Sequence, residues 1–469
     1  MTPKTARLLA LLLALLLFTA PTASVAANGS LDTLLDSLTP KGASLSAQVV
    51  RLGDGAVLFS RNAQQQLTPA SVAKLFPTAT ALALYGPEHR FLTEALAQPQ
   101  QLANGSLAGP LHLRGGGDPF LDLPGLDLLA DCLKAQGLKR IEGPLVADAS
   151  LFRGSPFGPD WDPADLEKPY AAPASALNLC ENAVSIVLSP TTPGRPPAIS
   201  IEPDPGHLAI ENRAVTSSRS HSPRLARVGQ EDRFVLTGPV RQSAAFRVPL
   251  RNPALFAAGV FKHRLQSRGI QVLGPVRTGS APPDAKALVG VPSAPLADIV
   301  AHVNKNSVNF AAETLLRLCG APLRGPDTGL DGLRVVHHFA AFVGAIPVTL
   351  ADGSGLSRSS KTSAAAITAL LTYAYEQPWG PAFYRSLAIA GQDGTLASRL
   401  RDPPANGRIL AKTGTLTGVS ALAGYVCGDD GPLLAFALLL NNGSSGAAGH
   451  DAADLFAAAL VPLATPPAP

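Results

Sequence analysis

The sequence predicts an α/β (α+β) fold in which a discontinuous lobe of mixed helix and strand is interrupted by a large β-rich inserted region. Three observations predict it. An apolar run of helical character, residues 75–84, lies near the start, and strand-length runs at 421–426 and 433–440 followed by a helical 451–460 lie near the end. Between about Glu88 and Pro282 the texture changes to short apolar runs (183–188, 234–237) punctuated by proline- and glycine-rich turns at 189–197 and 203–206, which is the pattern of short strands. The chain has 469 residues, too many for one ordinary core.

In order along the chain, Lys4 and Arg7 precede an apolar run of 11 residues, 8–18, and the small residues Ser24-Val25-Ala26-Ala27 follow. That is the pattern of a secretory signal peptide over 1–27, with an apolar run too short to span a bilayer, and it predicts export to the periplasm. Residues 47–58 read as strand with Asp54-Gly55 as a hairpin turn. Ser71-Val72-Ala73-Lys74 opens the 75–84 helix, and Pro77, if the helix begins near Ser71, falls beyond its first turn and should bend it. Residues 281–284 read as the return linker from the insertion, and the proline-rich 463–469 as a frayed tail. The expected organisation is a lobe built from 28–87 and 284–462, with 88–283 inserted.

Composition narrows the class. Hydrophobic residues make up 46% and charged residues 15%, which fits a well-buried globular protein. The formal net charge of +4 falls to about +2 once Lys4 and Arg7 are removed, too little to imply a nucleic-acid partner. Cys132, Cys180, Cys319 and Cys427 show no C-x-x-C spacing, so no metal site is expected from them; free core thiols and disulfide bridges stay equally open. The nine histidines are scattered without H-E-x-x-H, no G-x-S-x-G occurs, and the Gly115-Gly116-Gly117-Asp118 run lacks dinucleotide spacing, so no cofactor is implied. His337-His338 reads as helix surface, and Glu313 as a solvated or capping side chain.

Three short motifs carry the chemistry. Ser71 and Lys74 lie three apart on one helical face. A hydroxyl needs a base within hydrogen-bond reach to become a nucleophile, and burial disfavours the charged form of a lysine, making it such a base. Downstream come Ser307-Val308-Asn309 and then Lys412-Thr413-Gly414, followed by Thr415. S-x-x-K, an S-x-N element and K-T-G in this order are the set of penicillin-binding proteins and class A β-lactamases. Ser60-Arg61-Asn62 imitates the second motif in the wrong order, and Lys361-Thr362-Ser363 imitates the third but precedes a helical 364–373, where Thr362 or Ser363 reads as a cap. From Lys74 to Ser307 is 233 residues (307 minus 74), enough for the insertion to fold separately.

With these motifs, the chain resembles the class C, low-molecular-mass penicillin-binding proteins, the D-alanyl-D-alanine carboxypeptidase/endopeptidases of peptidase family S13. Leu111–Pro119, Pro173–Asn178, Asp352–Arg358 and Gly391–Leu396 also resemble family segments, so the likeness covers nearly the whole mature chain. The resemblance implies a β-lactamase/transpeptidase-like serine acyl-enzyme fold, with peptidoglycan stem peptides as substrate and β-lactam antibiotics as acylating mimics. It implies that Ser71 attacks the penultimate D-alanine, with Lys74, or Ser307 with Lys412, taking the proton. The N–H groups of Ser71 and Thr415 would hold the oxyanion. Asn309 would hold Lys74 and the substrate amide, Lys412 and Thr413 would meet the terminal carboxylate, and Gly414 would let the substrate strand lie along the sheet edge. Asp148 matches a position that in the family can bind the amino group of the stem peptide's diamino acid; an ordinary turn aspartate is the equal alternative. A homodimer is a family tendency without residue-level support here. The alternatives to a D,D-peptidase are a β-lactamase and a non-catalytic wall-binding scaffold.

Overall fold

The computed structural model describes residues 23–443 and 447–464. The signal-peptide reading lies outside them except for residues 23–27, which begin the helix Ala23–Leu38. The 465–469 end of the expected tail lies outside them as well. Among the described residues no helix is long and apolar enough to cross a membrane.

The described residues form two compact units: the first lies within Met1–Pro87, Val300–Ser307 and Val335–Pro469, and the second is Glu88–Ile299 with Val308–Arg334. The first is built on an antiparallel six-stranded sheet in the order Val57–Arg61, Ser44–Arg51, Gly431–Asn441, Val419–Gly428, Ile409–Leu416, Ala388–Ile389. The Asp54-Gly55 hairpin is present, closed by Gly55 N–H donating to Arg51 O. Strand residues alternate between faces. Ile409, Ala411, Leu422, Phe436 and Leu438 meet Leu31 and Leu35 of Ala23–Leu38 and Phe456 of Ala447–Leu460. The other face is covered by Ala364–Glu376, where the buried Tyr425 donates its hydroxyl to Leu371 O. With both faces covered, Val419–Gly428 is buried almost throughout and reads as a continuous apolar run. Ser363 caps Ala364–Glu376 by accepting from Ala366 N–H, so the Lys361-Thr362-Ser363 imitation is a helix start.

The second unit holds a five-stranded sheet ordered Val276–Thr278, Leu145–Asp148, Leu111–Arg114, Leu92–Ala97, Lys286–Pro292, with helices Leu123–Ala135 and Pro253–Ser267 packed on it. The unit also holds two three-stranded sheets, around Ala183–Ser189 and around Arg233–Thr237, as the short apolar runs predict, together with a small four-stranded and a two-stranded sheet. The glycine-rich segment locks to the Pro173–Asn178 stretch: Gly117 N–H donates to Ala176 O and Asn178 Nδ2 donates to Asp118 O. After the expected linker, Lys286–Pro292 pairs with Leu92–Ala97. Residues 284–299, expected with the lobe of the motifs, therefore pack with the inserted region, because strand pairing there outweighs proximity to the next motif.

All four cysteines are free. Burial pushes the Cys319 thiol up to about 12 and the Cys427 thiol up to about 11, so both are poor nucleophiles near neutrality. Glu313 is buried rather than solvated, and its charge offsets part of the burial that lowers the pKa of Arg317. His337 is half-buried rather than on the surface, and its Nε2 accepts from Leu350 N–H at 2.8 Å.

Candidate active site

Ser71 and Lys74 lie not in an α-helix but in the 3₁₀ turn Ala70–Lys74 that precedes it. Three residues per turn place side chains at i and i+3 directly over one another. Lys74 Nζ accordingly donates to Ser71 Oγ at 2.8 Å. The α-helix starts at Leu75, so Pro77 is its third residue. The expected bend is not needed, since a first-turn N–H has no partner within the helix and proline loses nothing there.

Lys74 is fully buried and also donates to Ser354 O at 2.6 Å. Asp352 fixes that carbonyl, because its buried carboxylate accepts from the N–H groups of Gly355, Leu356 and Ser357 and folds the loop. Gly355 has φ +77°, and a Cβ on it would lie 1.9 Å from Ala70 O, so the loop presses directly on the nucleophile turn.

Lys412 is also fully buried, in the strand Ile409–Leu416. Its Nζ donates to Ser307 Oγ at 2.9 Å and to Thr413 O at 3.0 Å. Burial lowers its pKa well below the ordinary lysine range, and the charge of Lys74 lowers it further. Ser307 sits at φ +57°, a conformation rare outside glycine and held only where surroundings enforce it. The enforcing contacts come just upstream: buried Asn304 donates to Ser386 Oγ at 2.9 Å, and Lys305 pairs with Asp393. Two residues on, Thr395 Oγ1 accepts from Thr413 Oγ1 at 2.8 Å. The Gly391–Leu396 segment thus braces both the second and the third motif.

Gly414 packs tightly against the nucleophile turn. A Cβ there would lie 2.5 Å from Pro69 O and 3.2 Å from Val72 N, so the missing side chain makes room for the Ser71 turn against the strand. Thr415 Oγ1 lies 2.9 Å from His450 Nε2. Burial and Arg399 lower the pKa of His450, and Asp454 and Asp451 raise it. Sequence reasoning gave no role to Ser354, Asn304, Thr395 or His450. Ser354, Asp393 and Thr395 lay within noted segments, but nothing local marked their partners.

Ser71, Lys74, Ser307, Lys412, Thr413, Gly414 and Thr415 all belong to the first unit. Asn309 and Asp148 belong to the second. Asn309 opens the helix Asn309–Gly320, and its Nδ2 donates to Tyr170 O at 3.0 Å. Asp148 is buried and accepts from Ser150 N–H at 3.0 Å and Ala281 N–H at 2.8 Å, which is the work of a turn aspartate.

A hydroxyl touched by one buried lysine, with a second buried lysine on a second serine, defines a serine-type hydrolase. The family model of the D-Ala-D-Ala carboxypeptidase 3 (S13) family matches residues 27–460. The chain is 35% identical over 460 residues to the D-alanyl-D-alanine carboxypeptidase of Actinomadura sp. (strain R39), covering 94% of this chain and 85% of that protein. The crystal structure of penicillin binding protein 4 (dacB) from Haemophilus influenzae matches with a TM-score of 0.79 at 26% identity, covering 91% of this chain and 98% of that one. The same protein complexed with a β-lactam matches at a TM-score of 0.73, with the same identity and coverage. The chain belongs to the D-Ala-D-Ala carboxypeptidase 3 (S13) family and is a serine peptidase with the expected β-lactamase/transpeptidase-like fold.

Two outcomes follow from this geometry. Lys412→Met removes one of two neighbouring buried lysines. An unfolded lysine is charged below about pH 10.4, so burying it at pH 7 costs stability, and that cost fades as pH rises toward that value. The variant should lose activity by about 100-fold or more while its Tm at pH 7 rises by about 2–4 °C; a lower Tm in calorimetry would show that Lys412 stabilises the fold. His450→Ala should raise KM for a D-Ala-D-Ala peptide roughly 3- to 10-fold and keep kcat within about twofold, as expected for losing one hydrogen bond to the side chain of Thr415, a residue expected to meet substrate. An unchanged KM would mean the imidazole has no part in binding.

Proposed function

We propose that this enzyme works in the periplasm, cleaving D-Ala-D-Ala bonds of peptidoglycan stem peptides through an acyl-enzyme on Ser71, as a carboxypeptidase, a cross-link endopeptidase or both. Ser71 Oγ attacks the carbonyl carbon of the penultimate D-alanine, and its proton passes to Lys74 or, through Ser307, to Lys412. The amide C–N bond then breaks. The departing amine takes a proton through Ser307, the terminal D-alanine leaves, and water hydrolyses the ester on Ser71. The N–H groups of Ser71 and Thr415 face the developing oxyanion, and Lys412 with Thr413 attracts the terminal carboxylate. A β-lactam enters as a mimic of the dipeptide and acylates the same hydroxyl.

The observation that carries this reading is the 2.8 Å contact of a fully buried lysine with Ser71 Oγ. A buried ammonium is costly, and its neutral form is a base already placed on the nucleophile. Support also comes from the Actinomadura carboxypeptidase relative and from the β-lactam complex of the Haemophilus protein. Intact-mass analysis with penicillin, alongside D-alanine release from a soluble pentapeptide, tests it. A stable one-to-one adduct and D-alanine release are expected, both abolished in Ser71→Ala. Penicillin turnover without an adduct would make the protein a β-lactamase; no adduct and no turnover would leave a scaffold.

A further inference from the structure

The positive charge of this chain is concentrated in one place. Residues 213–247 contain seven arginines, no lysine and two acids (Glu231, Asp232), a net of +5 (7 minus 2), which exceeds the +4 of the whole chain. Part of that charge is absorbed by the fold. Arg227, its side chain 3% exposed, pairs with Glu167 and Asp232 and lies over the Phe234 ring. Arg247 pairs with Glu181, and Arg213 with Glu211. Arg219 and Arg241, and Arg195 just upstream, are exposed, and among the described residues none of the three has an ion pair or a side-chain hydrogen bond.

Backbone bonds tie the chain at Arg195 and beside Arg241 to the segments that wall one groove, in which Arg219 itself takes part. Thr216 N–H donates to Arg195 O at 2.7 Å. Ser217 N–H donates to Val240 O at 2.9 Å, beside Arg241, whose own N–H donates to His221 Nδ1 at 3.3 Å. Ser217 Oγ accepts from the N–H groups of Arg219 and Ser220, which folds the rim that carries Arg219. The open groove, of about 540 Å³, is lined by Arg213 and Arg219 with Thr216, Ser217, Pro193 and Pro239 among its other walls. No aromatic ring lines it, so it offers a nucleobase nothing to stack on. Guanidinium forks match carboxylates, and hydroxyls and prolines suit a hydroxylated, partly apolar strand that passes through an open channel.

We propose that this groove is a second binding site for peptidoglycan, taking the free carboxylates of stem peptides on the strand and holding the enzyme on its polymeric substrate. The inference rests on the proposed wall substrate and adds a site that the hydrolytic step does not use. Exposed guanidinium–carboxylate pairs are weak singly and screened by salt, so several must act together.

The test is cosedimentation of the full-length mature protein with insoluble peptidoglycan at low and high salt, for the parent and for Arg195→Glu/Arg219→Glu/Arg241→Glu. The variant should bind about tenfold more weakly at low salt, and the difference should shrink at high salt. Its D-alanine release from a soluble pentapeptide should match the parent, which also shows that it folds. Glycan strands freed of stem peptides by an amidase, which are soluble, should not retain the parent protein when immobilised on beads. Equal sedimentation of parent and variant, or full binding to stripped glycan, would overturn the proposal. So would arginine-dependent binding to anionic phospholipid vesicles together with arginine-independent binding to the wall. A parent protein inert toward the soluble pentapeptide would instead overturn the wall-peptidase reading itself.

Discussion

Two lysines, each with no exposed surface, sit against one face of one sheet, and most of the catalytic unit can be understood as what is needed to keep them there. A buried ammonium without partners is untenable, so each side chain must be met by oxygen or surrender its proton. Lys74 is met by Ser71 Oγ and Ser354 O, and Lys412 by Ser307 Oγ and Thr413 O. None of these four oxygens carries a formal charge. For Lys412, burial disfavours the charged form, so the neutral amine is the favoured escape.

Close packing follows from the same requirement. The nucleophile turn can approach the Lys412 strand only because Gly414 has no side chain, and the Ser354 loop can approach that turn only because Gly355 has none. Ser307 is held in a left-handed conformation by groups around it, the Asn304–Ser386 bond and the Lys305–Asp393 pair. Stability is given up at this site and recovered in the apolar faces of the sheet, where Phe436, Phe456 and their neighbours are fully buried.

Much of this was legible in the sequence. The strand-length runs at 421–426 and 433–440 became central strands because both faces of that sheet are covered, and the insertion's short runs became the strands Ala183–Ser189 and Arg233–Thr237. The three motifs identified the side chains that make the two lysine–serine pairs. What the sequence hid is of three kinds. The Ser71–Lys74 spacing suits an α-helix and a 3₁₀ turn alike, and the tighter turn puts Pro77 in the helix's first turn. Main-chain acceptors such as Ser354 O carry no residue signature at all. Long-range partners such as Asp393 for Lys305, or His450 for Thr415, are set by tertiary packing, as is the pairing of Lys286–Pro292 with Leu92–Ala97.

The central claim is that burial beside Lys74 lets Lys412 give up its proton well below the ordinary lysine range, and the pH dependence of kcat/KM for D-alanine release tests it most directly. Two coupled lysines titrate as a unit, and activity requires one of them neutral. A lowered pKa means that the neutral form appears at lower pH. The rate should therefore rise through an ionisation well below the ordinary lysine value of about 10.4 and level off before it. A rate that keeps climbing to an apparent pKa near about 10.4 would contradict the account, since it would place the base in water rather than in the buried pair.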